Sequence, residues 1–294
     1  MHPGSQMFIQ GAKVDMWIPD SVLRREYKQF DGMLFHEGRC NVCGSETQFF
    51  YNDPTLYRES LVCGECLTTS RYRSVARGIL KAINETTGLQ AASLAELPKS
   101  ANNVSFKIYD TQPAFYWETS AYPIPDLLAS CDWIESETSV YRRNKPPGLV
   151  LGANFTNQNL EQLTFPDNTF DVVITSDVME HVRLDHLAHQ EIRRVLKPGG
   201  LYLFTVPHFR HSRDTIVRVK VIDPDDPAQD QFLLEKEYHG DANSEDHLAL
   251  SYRAYGTELD DFLRELGFTV DYCNEDFPEV GIMNTELFSC RIVK

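Results

Sequence analysis

"FDVVITSDVMEHVRLDHLAHQEIRRVLKPGGLYLFTVP", residues 170–207, decides the fold. It opens with "FDVVITS" and closes with "LYLFTVP". Both are short, almost uninterrupted apolar runs, as expected for strands covered on both faces of a parallel sheet. Between them Leu184, Leu187, Ala188, Ile192 and Val195 fall on one helical stripe. Pro198-Gly199-Gly200 then forces the chain out of the helix. Strand, helix, turn and strand make the βαβ unit of a doubly wound fold.

The same texture extends outward. "VSFKIYD" (104–110) predicts a strand ending in Asp110, and "DLLASCDW" (126–133) predicts a second. "GTELDDFLRELGF" (256–268) predicts a helix with a glycine stop, and "FTVDYCNEDF" and "ELFSCRIVK" a closing pair of strands. Residues 208–247 are polar, rich in Asp and His and weakly periodic, which reads as an insertion over one end of the sheet. Upstream, "SRYRSVARGILKAINETTG" carries Val75, Ile79, Leu80 and Ile83 at helical spacing, with Gly88 as a stop. The expected fold is therefore α/β, a Rossmann-like doubly wound and mostly parallel sheet over residues 99–294 with an insertion at about 208–247. Residues 1–98 form a small N-terminal zinc-binding module plus a helix.

The 294 residues are 42% hydrophobic and 24% charged, enough for a sizeable core. The formal net charge of −15 repels phosphate backbones, so nucleic acid is not the expected partner and a small molecule is favoured. No apolar run approaches bilayer length, and the N-terminus lacks a charged-then-apolar signal layout. The expectations are a cytoplasmic location and no membrane partner, with a homodimer left open.

Seven cysteines are present, four of them in "RCNVCG" and "LVCGECL". Cys40, Cys43, Cys63 and Cys66 make two CxxC turns, each offering two thiolates, and together they suit a tetrahedral Zn2+ site. A closed four-thiolate shell has no open position for water, so the expected role is structural. Cys131, Cys273 and Cys290 are expected in the core or strands.

From Leu160 to Pro207 the chain resembles class I S-adenosylmethionine-dependent methyltransferases of the small-molecule type. The resemblance rests on Leu163, Phe165, Pro166 and Asp167, then Phe170-Asp171, Glu180-His181, and Arg194 through Gly200. It is looser from about residue 104 to the C-terminus, and the cysteine module lies outside it. A branch with an N-terminal four-cysteine module followed by "SRYR"-like residues is similar too. The resemblance implies S-adenosyl-L-methionine across the carboxyl ends of the first strands. It assigns the acid ending strand one to Asp110 and the ribose-binding acid ending strand two to Asp132. The separation of about twenty residues is also the one expected for a carboxylate gripping two sugar hydroxyls. The adenine-side position falls on Asn159 in place of an acid, and Asp177 follows strand four, where methyl donor and acceptor meet.

After Asp110 the family's spaced glycines are replaced by Thr111, Gln112 and Pro113. The donor carries no pyrophosphate, so glycine there serves close packing and a tight turn, and Thr111 and Gln112 offer side-chain donors to its carboxylate. Pro113 is expected to start the next helix. His181, His208 and His239 are the candidate catalytic residues. Glu180 and His181, where strand four turns into a helix, either brace the loop or touch substrate. His208 lies at a strand's carboxyl end. His239, with Tyr238 and Asp241 in a loop of the insertion, is an ordinary loop histidine, or takes a proton from or touches the acceptor, or joins aspartates around a divalent ion. The reading is a methyltransferase (EC 2.1.1) acting on an O or N atom of a small-molecule acceptor. Its alternative is a non-catalytic methyltransferase fold whose zinc module binds a protein partner.

Overall fold

In the computed structural model, which describes residues 7–9, 12–14, 33–101, 104–116, 120–240 and 248–293, the chain divides into two units. The first comprises residues 1–106, 113–136 and 273–287, and the second 107–112, 137–272 and 288–294. Among the described residues no helix is long and apolar enough to cross a membrane.

In the first unit, Met33–Arg39 (β1), Glu46–Tyr51 (β2) and Val62–Cys63 (β3) form a three-stranded antiparallel sheet. The amphipathic stretch after the cysteines forms the predicted helix, Ser70–Thr87 (α1), which buries Val75, Ala76, Ile79 and Ile83. It ends at Gly88 with φ 76°, the left-handed stop that glycine tolerates without a Cβ clash. Distant sequence is tied onto α1. Ser70 Oγ donates to Met283 O at 2.9 Å, and the fully buried Arg73 donates through Nε to Gly281 O at 3.2 Å and through Nη2 to Leu61 O at 3.0 Å.

Two local expectations need correction here. "DLLASCDW" is not a strand: Ile124–Ala129 is a helix (α2) that buries Ile124, Pro125 and Leu128 on one face. Pro125 sits in its first turn, where a missing N–H leaves no lost bond. Short apolar runs do not separate helix from strand by periodicity, and here the Leu-Leu-Ala stretch and the early proline favour helix. Nor does Pro113 start a helix. Phe115–Tyr116 pairs antiparallel with Ala121–Tyr122, and the Phe115 and Tyr122 rings stack at 6.1 Å. Aromatic side chains that pack across a ladder override the proline signal.

The second unit is built on an eight-stranded sheet. Its strands are Phe106–Asp110 (β4), Ile134–Val140 (β5), Val150–Gly152 (β6), Phe155–Asn157 (β7), Phe170–Ser176 (β8), Leu196–Thr205 (β9), Phe268–Cys273 (β10) and Leu287–Ile292 (β11). Their order is β6-β7-β5-β4-β8-β9-β11-β10. β7 runs parallel to β5, and β8 runs parallel to both β4 and β9, while β11 is antiparallel to β9. The chain moves outward from β4 in two directions, so the switch point lies between β4 and β8. This is the expected doubly wound, mostly parallel sheet.

The predicted helix between β8 and β9 is Asp185–Val195 (α3), and the later one is Glu258–Glu265 (α4). Tyr109, Phe170, Val173, Ile192, Tyr202, Phe204, Leu263 and Phe288 fill the core of this unit. His189 also lies on the buried face of α3, ringed by Tyr202, Phe204 and Phe262.

Candidate functional site

The carboxyl ends of three parallel strands are in step. Asp110 of β4 pairs in register with Ile174 of β8, and Ser176 of β8 with Thr205 of β9. Asp110 is buried, and its Oδ1 accepts from Gln112 N at 3.0 Å. The Thr111 amide donates to Ile174 O at 3.1 Å, and its hydroxyl points to the same carbonyl at 3.3 Å. The loop thus turns on an Asx-type bond and a strand-to-strand tether, devices that replace glycine's freedom with side-chain hydrogen bonds.

Asp177 follows β8 in the left-handed region at φ 52°, which Asp tolerates better than most residues. Thr205 Oγ1 donates to its Oδ1 at 2.8 Å, and its amide donates to Thr205 O at 3.0 Å. Asn159 comes just after β7, where its Oδ1 accepts from Glu161 N at 3.1 Å. Asp132 was expected at the end of strand two and is not there. It precedes β5, its amide donates to Lys99 O, and its carboxylate accepts from Ser100. The residues that close β5 at its carboxyl end are Val140, Tyr141 and Arg142. The register error follows from the misread helix α2.

Beyond Asp177 the chain makes a single 3-10 turn, Met179–His181. The chain just after the insertion holds this turn. Tyr252 N donates to Glu180 O at 2.8 Å, Tyr255 Oη to Met179 O at 3.1 Å, and Arg253 Nη1 to Val182 O at 2.6 Å. Arg183 meets Asp230 through two bonds of 2.7 Å. At the end of the insertion, Tyr238–Gly240 pairs with Leu248–Leu250 as a hairpin, so His239 sits on a strand and not in a loop. Asp241 lies outside the described residues.

The hairpin brings His239 to His181, with His239 Nδ1 and His181 Nε2 3.2 Å apart. Glu180 Oε1 is 3.7 Å from His181 Nε2 and 3.8 Å from His239 Nδ1. Of the three predicted histidines, His181 and His239 therefore converge, and His208 stands elsewhere. The His208 side chain is buried between Tyr272 and Phe288, 4.0 Å from Asp260. Burial holds its imidazole below the usual range, and the Arg210 charge adds to that. Sequence reading did not pair Glu180 with His239, because 58 residues, among them α3 and β9, separate His181 from its partner.

In the first unit the four cysteine sulfurs cluster. Cys40 Sγ and Cys66 Sγ are 3.7 Å apart, and Cys43 Sγ and Cys63 Sγ 3.9 Å. Four thiolates around one tetrahedral zinc would lie about 3.8 Å apart. The amides of Val42 and Glu65 point to Cys40 and Cys63 sulfurs at 3.4 Å, a donation that favours thiolate. Hydrogen bonds with Cys40 pull the thiols of Cys43 and Cys63 down, Cys63 to about 7, while hydrogen bonds within the same cluster push those of Cys40 and Cys66 up. Burial holds the nearby Arg73 guanidinium below its usual range, opposed by the attraction of the four sulfurs.

A methyltransferase-domain family matches residues 128–204. Among curated proteins, the chain is similar to the ubiquinone/menaquinone biosynthesis C-methyltransferase UbiE of Hydrogenovibrio crunogenus. The two are 47% identical over 53 residues, 18% of this chain and 21% of that protein. UbiE of Shewanella oneidensis is 32% identical over 135 residues, 43% of this chain and 50% of that protein. The chain thus matches half or less of these relatives' length. Among solved structures, an S-adenosylmethionine dependent methyltransferase from Mesorhizobium loti covers 66% of this chain and 93% of its own, with 15% identity and a TM-score of 0.37. The expected methyltransferase resemblance is borne out over residues 128–204, and the strand order is that of the class I fold.

Proposed function

We propose that the protein transfers a methyl group from S-adenosyl-L-methionine to an oxygen or nitrogen atom of a small-molecule acceptor. The single observation that supports this most is the alignment of Asp110, Ser176 and Thr205 at the switch-point edge of the sheet, with Asp177 next in the chain. When bound, the donor supplies a methyl group already activated by sulfonium charge, and the C–S electron pair returns to sulfur. The protein's task is then to position the donor and handle a proton.

Carboxylates suit this ligand because it carries a sulfonium and an ammonium. Asp110 and Asp177 face the cationic portion, Gln112 offers its side chain to the carboxylate, and Asn159 lies on the adenine side. The Thr111 hydroxyl already meets Ile174 O, so its contribution to the ligand is through holding the turn. The acceptor lies over Glu180, His181 and His239, which assist the loss of its proton. His208 shapes the wall beside α4. The four-cysteine cluster holds a structural Zn2+, and its sulfur spacing fits that ion.

A carbon acceptor is the second reading, favoured by the C-methyltransferase names of the curated relatives. Isothermal titration with S-adenosylmethionine tests the proposal, and absence of heat at millimolar ligand removes it. Asp110→Asn should weaken binding about tenfold, the loss of roughly one charge-assisted contact. Methyl-labelled donor incubated with a metabolite pool, followed by carbon NMR of the product, separates oxygen-, nitrogen- and carbon-bound methyl groups.

A further inference from the structure

We infer that Glu180, His181 and His239 form a divalent-cation site, separate from the cysteine cluster and open on one side. The three offer one ligand atom each, all within 4.8 Å of one another. His181 Nδ1 lies 2.9 Å from Leu250 O, and a carbonyl accepts only, so the proton sits on Nδ1. His239 Nε2 lies 3.1 Å from Glu237 Oε1, and an ionised carboxylate also accepts only, so the proton sits on Nε2. The remaining nitrogens, His181 Nε2 and His239 Nδ1, are then the ones whose lone pairs can serve as ligands. Those lone pairs meet at 3.2 Å, beside a carboxylate whose side chain is 0% exposed.

Two facing lone pairs repel unless something positive lies between them. Two nitrogens bound to one cation at about 2.1 Å, roughly 100° apart, lie about 3.2 Å from each other. The outer contacts are those a metal site needs. Each imidazole donates its other N–H to an acceptor that fixes ring and tautomer. The backbone of Met179–His181 is in turn pinned by Tyr252, Arg253 and Tyr255.

Two imidazoles and one carboxylate select a first-row divalent ion such as Mn2+, Fe2+, Co2+ or Zn2+ over Ca2+, and leave coordination positions open. The side-chain exposures rise from 0% at Glu180 through 17% at His181 to 32% at His239, so the open side faces solvent on the His239 flank. On the methyl-transfer reading given above, on which this further step rests, that position takes an oxygen of the acceptor. The cation lowers the hydroxyl's pKa, the O–H bond breaks with its electron pair left on oxygen, and the proton passes to bulk water. The acceptor class is then a hydroxyl-bearing small molecule, with a second oxygen nearby to share the cation.

The test uses the full chain with zinc retained at the cysteines. Mn2+ is titrated in and bound ion is read by electron paramagnetic resonance, with no methyl donor present. One Mn2+ per chain is expected in the parent. His239→Ala, at a partly exposed position, should weaken binding at least about a hundredfold, and Glu237→Gln about tenfold through the outer contact. Zinc content and melting temperature should stay unchanged in both variants. No uptake by the parent at millimolar Mn2+, or equal uptake by His239→Ala, overturns the inference. Calorimetry with S-adenosylmethionine on the same samples reads the methyltransferase proposal independently, so either can fail alone.

Discussion

The cysteine cluster and the histidine cluster bring ligand atoms together by opposite means. Cys40 and Cys43 share one turn, Cys63 and Cys66 another, and a short three-stranded sheet brings the two turns together. Val42, Phe49, Leu61 and the buried face of α1 pack beside them, and on the zinc reading the ion ties the two turns together. Glu180, His181 and His239 are instead placed by a large sheet, a buried arginine and a hairpin. A cluster of the first kind closes on its metal and serves folding. A cluster of the second kind is assembled in advance and keeps room for a ligand.

The largest expected effect breaks this comparison if it fails. Cys63→Ser should unfold the first unit, since structural zinc sites of this type contribute roughly 10 kcal/mol to folding. Hydrogen exchange resolved by residue would show loss of protection in α1 and β1–β3, whereas His239→Ala should leave β8 and β9 protected. Equal melting of both units by Cys63→Ser and by His239→Ala would erase the distinction.

A second test asks what limits the sheet-bearing unit, and the expectation is acid in place of chelation. His189 is fully buried, neither ring nitrogen has a hydrogen-bond partner among the described residues, and burial pushes its pKa down to about 4. The native state keeps it neutral below the unfolded value of about 6.5, so the unfolded chain binds more protons between those pH values. Stability must then fall as pH drops from about 6.5 to 4, by roughly 3 kcal/mol from this group alone. His189→Leu should flatten that limb in urea melts followed against pH, and an unchanged slope would show that other groups carry it.

The smallest effect sharpens the account of the first unit. Gly281 sits at φ +68°, its carbonyl accepts from Arg73, and a Cβ there would lie 2.5 Å from the Phe49 ring. Gly281→Ala should cost about 2 kcal/mol, by strain and overpacking together. Denaturant midpoints followed through zinc release would read it. No shift would mean that residues 273–287 do not brace α1.

The sequence by itself determined what rests on spacing along the chain. The βαβ unit at 170–207, the helix at 70–87 with its glycine stop, and the two CxxC turns all follow from neighbours within a few residues. Helical stripes, strand runs and paired thiolates are local patterns, and local patterns survive without coordinates. The helix at 124–129 was misread because its apolar run is too short to show a period, and Asp132 was misplaced with it. Tertiary structure alone decided which histidine meets which. His181 and His239 are 58 residues apart, and the register of one hairpin, Tyr238 against Leu250 and His239 against Ala249, sets their distance. A slip of one residue in that register would turn His239 to the other face, and no spacing rule in the chain encodes it.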